Sequence, residues 1–263
     1  MTMNATRVGA TRTKSDQVPG VRTDAPRRGA MRWLLAAASL VGVVGMVLAQ
    51  TTPAGAPKPD VVKPPPIAIP DAPKPVSAKA WLVMDDATGK VLAGDNIDMR
   101  LEPASITKVM TSYVIAAELQ AGRIKPDDKV MMSENAWRTG GAATEGSYSG
   151  FEVNKTADLT EMVKGMVVQS GNDAAIALAE HTAGSEAAFA TLMNDYAKRL
   201  GLSNTQFVNS HGLSAEGHYS TARDLASLGR ALIRDFPQEY AYNKIREFSV
   251  GPITQRNRNL LLW

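Results

Sequence analysis

From residue 78 onward the sequence predicts an α/β fold carrying an all-helical insert. Two short apolar runs flank Asp86-Ala87-Thr88-Gly89 and read as a β-hairpin over 80–85 and 90–93. Helical patterns fill most of 104–234, and a strand pattern returns only at 247–252. Helices lodged between two stretches of strand are the one-dimensional signature of an insert in an α/β unit.

The chain before that region divides in two. Residues 1–32 carry seven Arg or Lys against two Asp, and residues 33–49 carry no charge. The formal net charge of the 263 residues is +3, so everything from Gln50 onward sums to −2. No nucleic-acid partner is expected, because the basic excess is confined to the leader. Arg27, Arg28 and Arg32, the uncharged run 33–48 and Val47-Leu48-Ala49 make 1–49 an N-terminal extension and signal peptide. At about 1.5 Å per residue that run reaches roughly 24 Å, short of the roughly 30 Å hydrocarbon core, which favours cleavage over anchoring. The stretch after Arg27-Arg28 is too hydrophobic for a twin-arginine signal, and a start at Met31 would leave a compact signal of the ordinary kind. Export to the periplasm or the outer face of the cytoplasmic membrane follows. Residues 50–77 form a Pro-rich linker, since 51–77 hold nine of the fifteen prolines, and such a spacer cannot bury a core. The absence of cysteine excludes disulfides, thiol catalysis and Cys-ligated metals.

Within 78–263, Pro103 precedes a helix predicted over 104–120 with Gly122 as its stop. Its first turn carries Ser105-Ile106-Thr107-Lys108, and a spacing of three puts Ser105 and Lys108 on one face. The Gly-rich segment 139–150 reads as a loop long enough to border a site. Helices are predicted over 158–168, 172–182, 186–200 and 221–234, punctuated by Gly184, Gly201 and Ser220. Ser170-Gly171-Asn172 falls between two of them, where glycine permits a sharp turn.

These two motifs carry the chemistry. One S-x-x-K is expected roughly once by chance in a chain of this length, and taken singly Ser105 reads as a helix cap and Lys108 as a solvated charge. Together with Ser170 and Asn172 they supply a nucleophile, an amine base and two polar groups able to relay protons and orient a substrate. The base must be neutral to act. Moving a lysine from about 10.4 to about 7 takes roughly 4 kcal/mol of bias against the ammonium, which burial, a nearby cation and a helix N-terminus can supply.

S-x-x-K at a helix start after a hairpin, followed by S-x-N between helices, resembles the penicillin-binding and β-lactamase superfamily. The stretches 103–113 and 169–174, with Asn209-Ser210-His211-Gly212-Leu213, Ser220-Thr221-Ala222-Arg223-Asp224 and Asn257-Arg258-Asn259, resemble the low-molecular-mass D-alanyl-D-alanine carboxypeptidases over essentially all of 78–263. The resemblance implies the transpeptidase-like fold of that superfamily. It makes Ser105 the acylated nucleophile, Lys108 its base, Ser170 the relay to the leaving D-alanine and Asn172 the holder of the substrate amide. It further implies a peptidoglycan pentapeptide substrate, β-lactams as inhibitors, no metal or other cofactor, and peripheral inner-membrane association through a C-terminal region outside this chain. S-G-N favours the carboxypeptidase over a class A β-lactamase, where S-D-N is common, and no E-x-x-L-N segment is present. A serine β-lactamase and a non-catalytic wall-binding scaffold are the alternatives.

The family's third motif, K-T-G, is absent from the sequence. Arg138-Thr139-Gly140 and Lys155-Thr156-Ala157 both precede Ser170 and fail on order. The antiparallel sheet is accordingly expected to be incomplete, the catalytic domain to be C-terminally truncated, and the 263-residue polypeptide to be unstable and weak in penicillin binding. Gly146-Ser147-Tyr148-Ser149-Gly150 mimics a nucleophile elbow, but its central residue is Tyr. His181 reads as a helix-face residue, His211 as a loop contact near the cleft, and the three histidines lack metal-ligand spacing. The methionines read as packing.

Overall fold

The computed structural model describes residues 78–141, 144 and 146–263. The leader and the Pro-rich linker lie outside the described residues. The hairpin at the start is β1 (Trp81–Met84) against β2 (Val91–Asp95), antiparallel, with a register shift between Val83 and Met84. A 3-10 helix (Ala104–Ile106) leads into α1 (Thr107–Gln120). Then come β3 (Lys129–Met131), α2 (Glu134–Gly140), β4 (Thr156–Asp158), α3 (Leu159–Gln169), α4 (Asn172–Ala183) and α5 (Glu186–Arg199). The remainder is α6 (Ala222–Asp235), the single turn α7 (Pro237–Tyr240), β5 (Glu247–Val250) and β6 (Ile253–Arg256).

Among the described residues the strands form three separate antiparallel pairs, β1 with β2, β3 with β4 and β5 with β6. The β1–β2 pair therefore has two edges without a ladder partner there, as an incomplete sheet requires. The strand expected over 247–252 is two strands folded back at Gly251, whose φ of +54° is the left-handed geometry glycine adopts without cost. Residues Lys129–Met131 and Thr156–Asp158 form a further antiparallel pair, with α2 between them in sequence.

α4 is the centre. Its residues Ala174–Ala179 are all buried, and α1, α2, α3 and α5 pack around it. A helix apolar on every side belongs in a core, and its alanines let its neighbours close in. Gly140 shows how closely: a Cβ there would lie 2.5 Å from the backbone nitrogen of Asp173. The end of α2 thus rests directly on the backbone that opens α4. Around this axis Met110, Ile115, Met132, Met162, Met166, Phe189, Met193 and Leu228 fill the core, so these methionines are packing residues.

Side chains start three of the other helices, α2, α5 and α6. Ser133, Ser185 and Thr221 each accept a hydrogen bond from the backbone three residues on, which satisfies an otherwise free N–H of the first turn. No helix of the described residues is long and apolar enough to cross a membrane.

Candidate active site

The predicted helix over 104–120 divides where the chemistry lies. Ala104 has φ +46°, an unfavourable value for a residue with a Cβ, and Ile106 N donates to Pro103 O at 3.1 Å. Ser105 therefore stands on a tight turn just ahead of α1 rather than inside its first turn. The chain before it is tied down by Leu101 and Ser220, which exchange backbone hydrogen bonds at 2.9 Å in both directions. Behind it, Gly212 (φ +94°) lies so close that a Cβ would come within 1.9 Å of Ala104 O.

Lys108, 6% exposed, lies one turn into the protein from Ser105. Its Nζ donates to Asn172 Oδ1 at 2.6 Å and to the backbone oxygen of His211 at 2.8 Å, and it lies 3.3 Å from Ser105 Oγ. Two of these partners can only accept; the third is a hydroxyl that can also donate. A neutral amine would give its two hydrogens to Asn172 and His211 and turn its lone pair to Ser105. Burial pushes the Lys108 amine down to about 8, the Arg258 guanidinium pushes the same way, and the Asp173 carboxylate opposes both.

Ser170 ends α3 in the left-handed region (φ +57°), a geometry rare for serine, and this turn brings Asn172 to the start of α4 only two residues later. Ser105, Lys108 and Ser170 line one cleft of about 130 Å³, together with Val109, Ser112 and Met166. All four residues singled out in the sequence are thus brought together.

The loop over 146–149 packs on Asn172. Ser147 O accepts from Asn172 N at 2.8 Å, while Gly146 leaves room for the Asn172 amide, since a Cβ there would be 2.5 Å from Nδ2. The Asp173 carboxylate accepts from Ser149 N and Ser149 Oγ, each at 2.8 Å. From the other side Arg258 Nη1 donates to Ser147 Oγ and Gln255 Nε2 donates to Ser149 O at 2.6 Å.

Compared with known proteins, residues 68–263 match the family profile described as D-alanyl-D-alanine carboxypeptidase. The chain belongs to the D-alanyl-D-alanine carboxypeptidase family. Within this carboxypeptidase family it is 52% identical over 189 residues to D-alanyl-D-alanine carboxypeptidase DacC of Escherichia coli, covering 72% of this chain and 47% of that protein. It is 46% identical over 196 residues to DacA of the same organism, covering 74% and 48%. Among solved structures it resembles penicillin binding protein 5 from Haemophilus influenzae, with TM-score 0.69, 40% identity, and coverage of 73% of this chain and 55% of that one. Penicillin binding protein 6B from Escherichia coli matches with TM-score 0.67 and 38% identity, over 74% and 62%. The chain spans about half the length of the curated relatives it matches. The fold is that of the penicillin-binding proteins, with helices and small antiparallel sheets.

As a carboxypeptidase-family chain it also explains the decoys. Arg138-Thr139-Gly140 forms the last turn of α2, and Thr156-Ala157 lies on β4 against β3. The stretch 146–150 is no nucleophile elbow, but it packs on Asn172, in keeping with the Gly-rich loop over 139–150 expected to border a site. His181 lies on α4 with Nε2 3.3 Å from Asp128 Oδ2, the helix-face position expected of it. His211 serves through its carbonyl. Sequence reasoning gives no site role to Asp173, Ser147, Ser149 or Arg258; the first three have only adjacency to Asn172 or to the glycines of 146–150 as a signal, and Arg258 only its place in the Asn257-Arg258-Asn259 stretch of the family resemblance.

Proposed function

We propose that this chain is the acyl-transfer part of a serine-type D-alanyl-D-alanine carboxypeptidase that removes the terminal D-alanine from peptidoglycan stem peptides. The observation that carries the reading is the three-way bonding of Lys108, which orients one free valence of a buried, weakly basic amine at Ser105 Oγ. With Lys108 near 8, about a tenth of the molecules carry the neutral base at pH 7.

Ser105 Oγ gives its proton to Lys108 and bonds to the carbonyl carbon of the penultimate D-alanine. The C–N bond then breaks. Ser170 passes the proton from Lys108 to the departing amine, leaving an ester on Ser105, while Asn172 holds the substrate backbone. Water next adds to the ester carbonyl, its proton returns to Ser105 Oγ, and the shortened peptide leaves. A β-lactam presents a strained amide to the same hydroxyl. The leader over 1–49 exports the protein, the linker over 50–77 separates the catalytic part from it, and the domain over 78–263 works on the outer side of the cytoplasmic membrane.

The test uses the complete gene product. Fluorescent penicillin is expected to label the parent protein and to leave Ser105→Ala unlabelled, and D-alanine is expected to be released from a pentapeptide by the parent alone. Equal labelling of Ser105→Ala would remove Ser105 as the nucleophile, and labelling without D-alanine release would indicate a binding scaffold.

A further inference from the structure

Two charges flank Lys108 that the proposed reaction does not consume. Asp173 follows Asn172 at the start of α4 and is buried, with its carboxylate gripped by Ser149 N, Ser149 Oγ and Ala174 N, all at 2.8 Å. Burial raises the Asp173 carboxyl, but every one of these groups donates, which favours the carboxylate over the carboxylic acid. Arg258 lies beyond β6, exposed, with Nη1 on Ser147 Oγ. Both charges grip the same loop. Ser147 carries Asn172 through the bond to its backbone nitrogen, and Asn172 carries Lys108 through Oδ1. The third titratable group facing Lys108 is His211, from the loop over 209–213, and burial holds its imidazole down to about 4, hence uncharged in neutral solution.

We infer that Asp173 and Arg258 are positioning residues of opposite charge, acting on Lys108 through the loop that holds Asn172 and shifting in opposite directions the pH at which this buried base becomes available. The inference rests on the proposed role of Lys108 as base. The charge of each gives its sign. Asp173 is anchored to the core by α4 and favours the ammonium, whereas Arg258 disfavours it from the rim. Burial sets the amine low, and the opposed charges adjust it about that point.

The experiment measures the acylation rate of the complete gene product by fluorescent penicillin across pH 5–10, alongside direct titration of Lys108 by the NMR shift of its ¹³C-labelled Cε, assigned with Lys108→Arg. Asp173→Asn keeps the shape, because its amide can donate to Ser149 Oγ once that hydroxyl turns its own hydrogen away. It is expected to move the rising limb of the rate, and the Lys108 titration, down by about one pH unit. Arg258→Gln is expected to move both up by about half a unit, less because Arg258 is exposed to screening. Arg258→Lys should hold the limb in place, and the double variant should return toward the parent. Loss of rate at every pH with the Lys108 titration unmoved would reduce both residues to structural supports and overturn the inference, as would movement in the opposite sense. If the parent protein fails to label at all, the reading of Ser105 falls, while the NMR titration still decides the charge pair.

Discussion

At the scale of single residues the site depends on close approach as much as on reactive groups. Gly212 shows this most sharply. Its φ of +94° and the 1.9 Å that would separate a Cβ from Ala104 O mean that alanine cannot enter without moving the turn that presents Ser105. Gly212→Ala is expected to cost at least about 3 kcal/mol of stability and to abolish acylation. Urea unfolding of the variant checks it, and a midpoint equal to the parent's would contradict the account. The same contact shows what the sequence hid. Ser105, Lys108, Ser170 and Asn172 were legible because reactive residue types at fixed spacing announce themselves. His211 is legible as a loop contact near the cleft, but its role through the main-chain oxygen is not, because such an oxygen carries no sequence signature, and the hold of Arg258 on Ser147 is not, because it comes from a distant part of the chain.

Helices and strands divide by how they are begun. Where a turn-forming residue precedes an apolar period and glycine or proline closes it, the sequence predicts the element to within a residue or two, as for α3, α4, α5 and α6. The short β3–β4 pair and α2 escaped because three-residue strands show no alternation, and because the glycines that end α2 read as loop. The capping residues differ in what else they hold. Ser185 is exposed and only caps α5, whereas Ser133 Oγ also donates to Glu180 Oε2 at 2.6 Å, tying α2 to α4. Ser185→Ala is expected to cost about 1 kcal/mol and Ser133→Ala about 2 kcal/mol, since the second also removes a hydrogen bond to a carboxylate. Chemical denaturation of the two variants gives the comparison, and equal losses would mean the Glu180 contact adds nothing.

For the molecule as a whole, buried histidines make stability depend on pH. Burial holds His211 down to about 4 and also lowers His218, whose Nδ1 accepts from Val208 N at 3.0 Å and whose other nitrogen is 2.9 Å from Thr107 Oγ1. Since Nδ1 accepts, the proton sits on Nε2, and the ring is needed neutral. Unfolding releases both rings to titrate near 6.5, so below that pH the unfolded chain binds protons that the folded chain refuses. Stability is therefore complete above about 6.5 and falls as the pH drops toward about 4, by up to about 3 kcal/mol from His211. Denaturant midpoints measured from pH 7 to 4.5 should fall in the parent and fall less steeply in His211→Gln. A flat profile in the parent would show that these rings do not titrate as their burial demands.

The bond from Lys108 to the carbonyl of His211 has a consequence for how this site can vary. One of the two acceptors that steer the amine is a side chain, Asn172, and can be changed by a single codon. The other belongs to the path of the main chain. Any residue placed at 211 brings the same oxygen with it, so drift or drug pressure can replace the imidazole and leave the steering contact standing. To remove it, the chain between Asn209 and Leu213 would have to take another route, and Gly212 against Ala104 leaves it little room to do so.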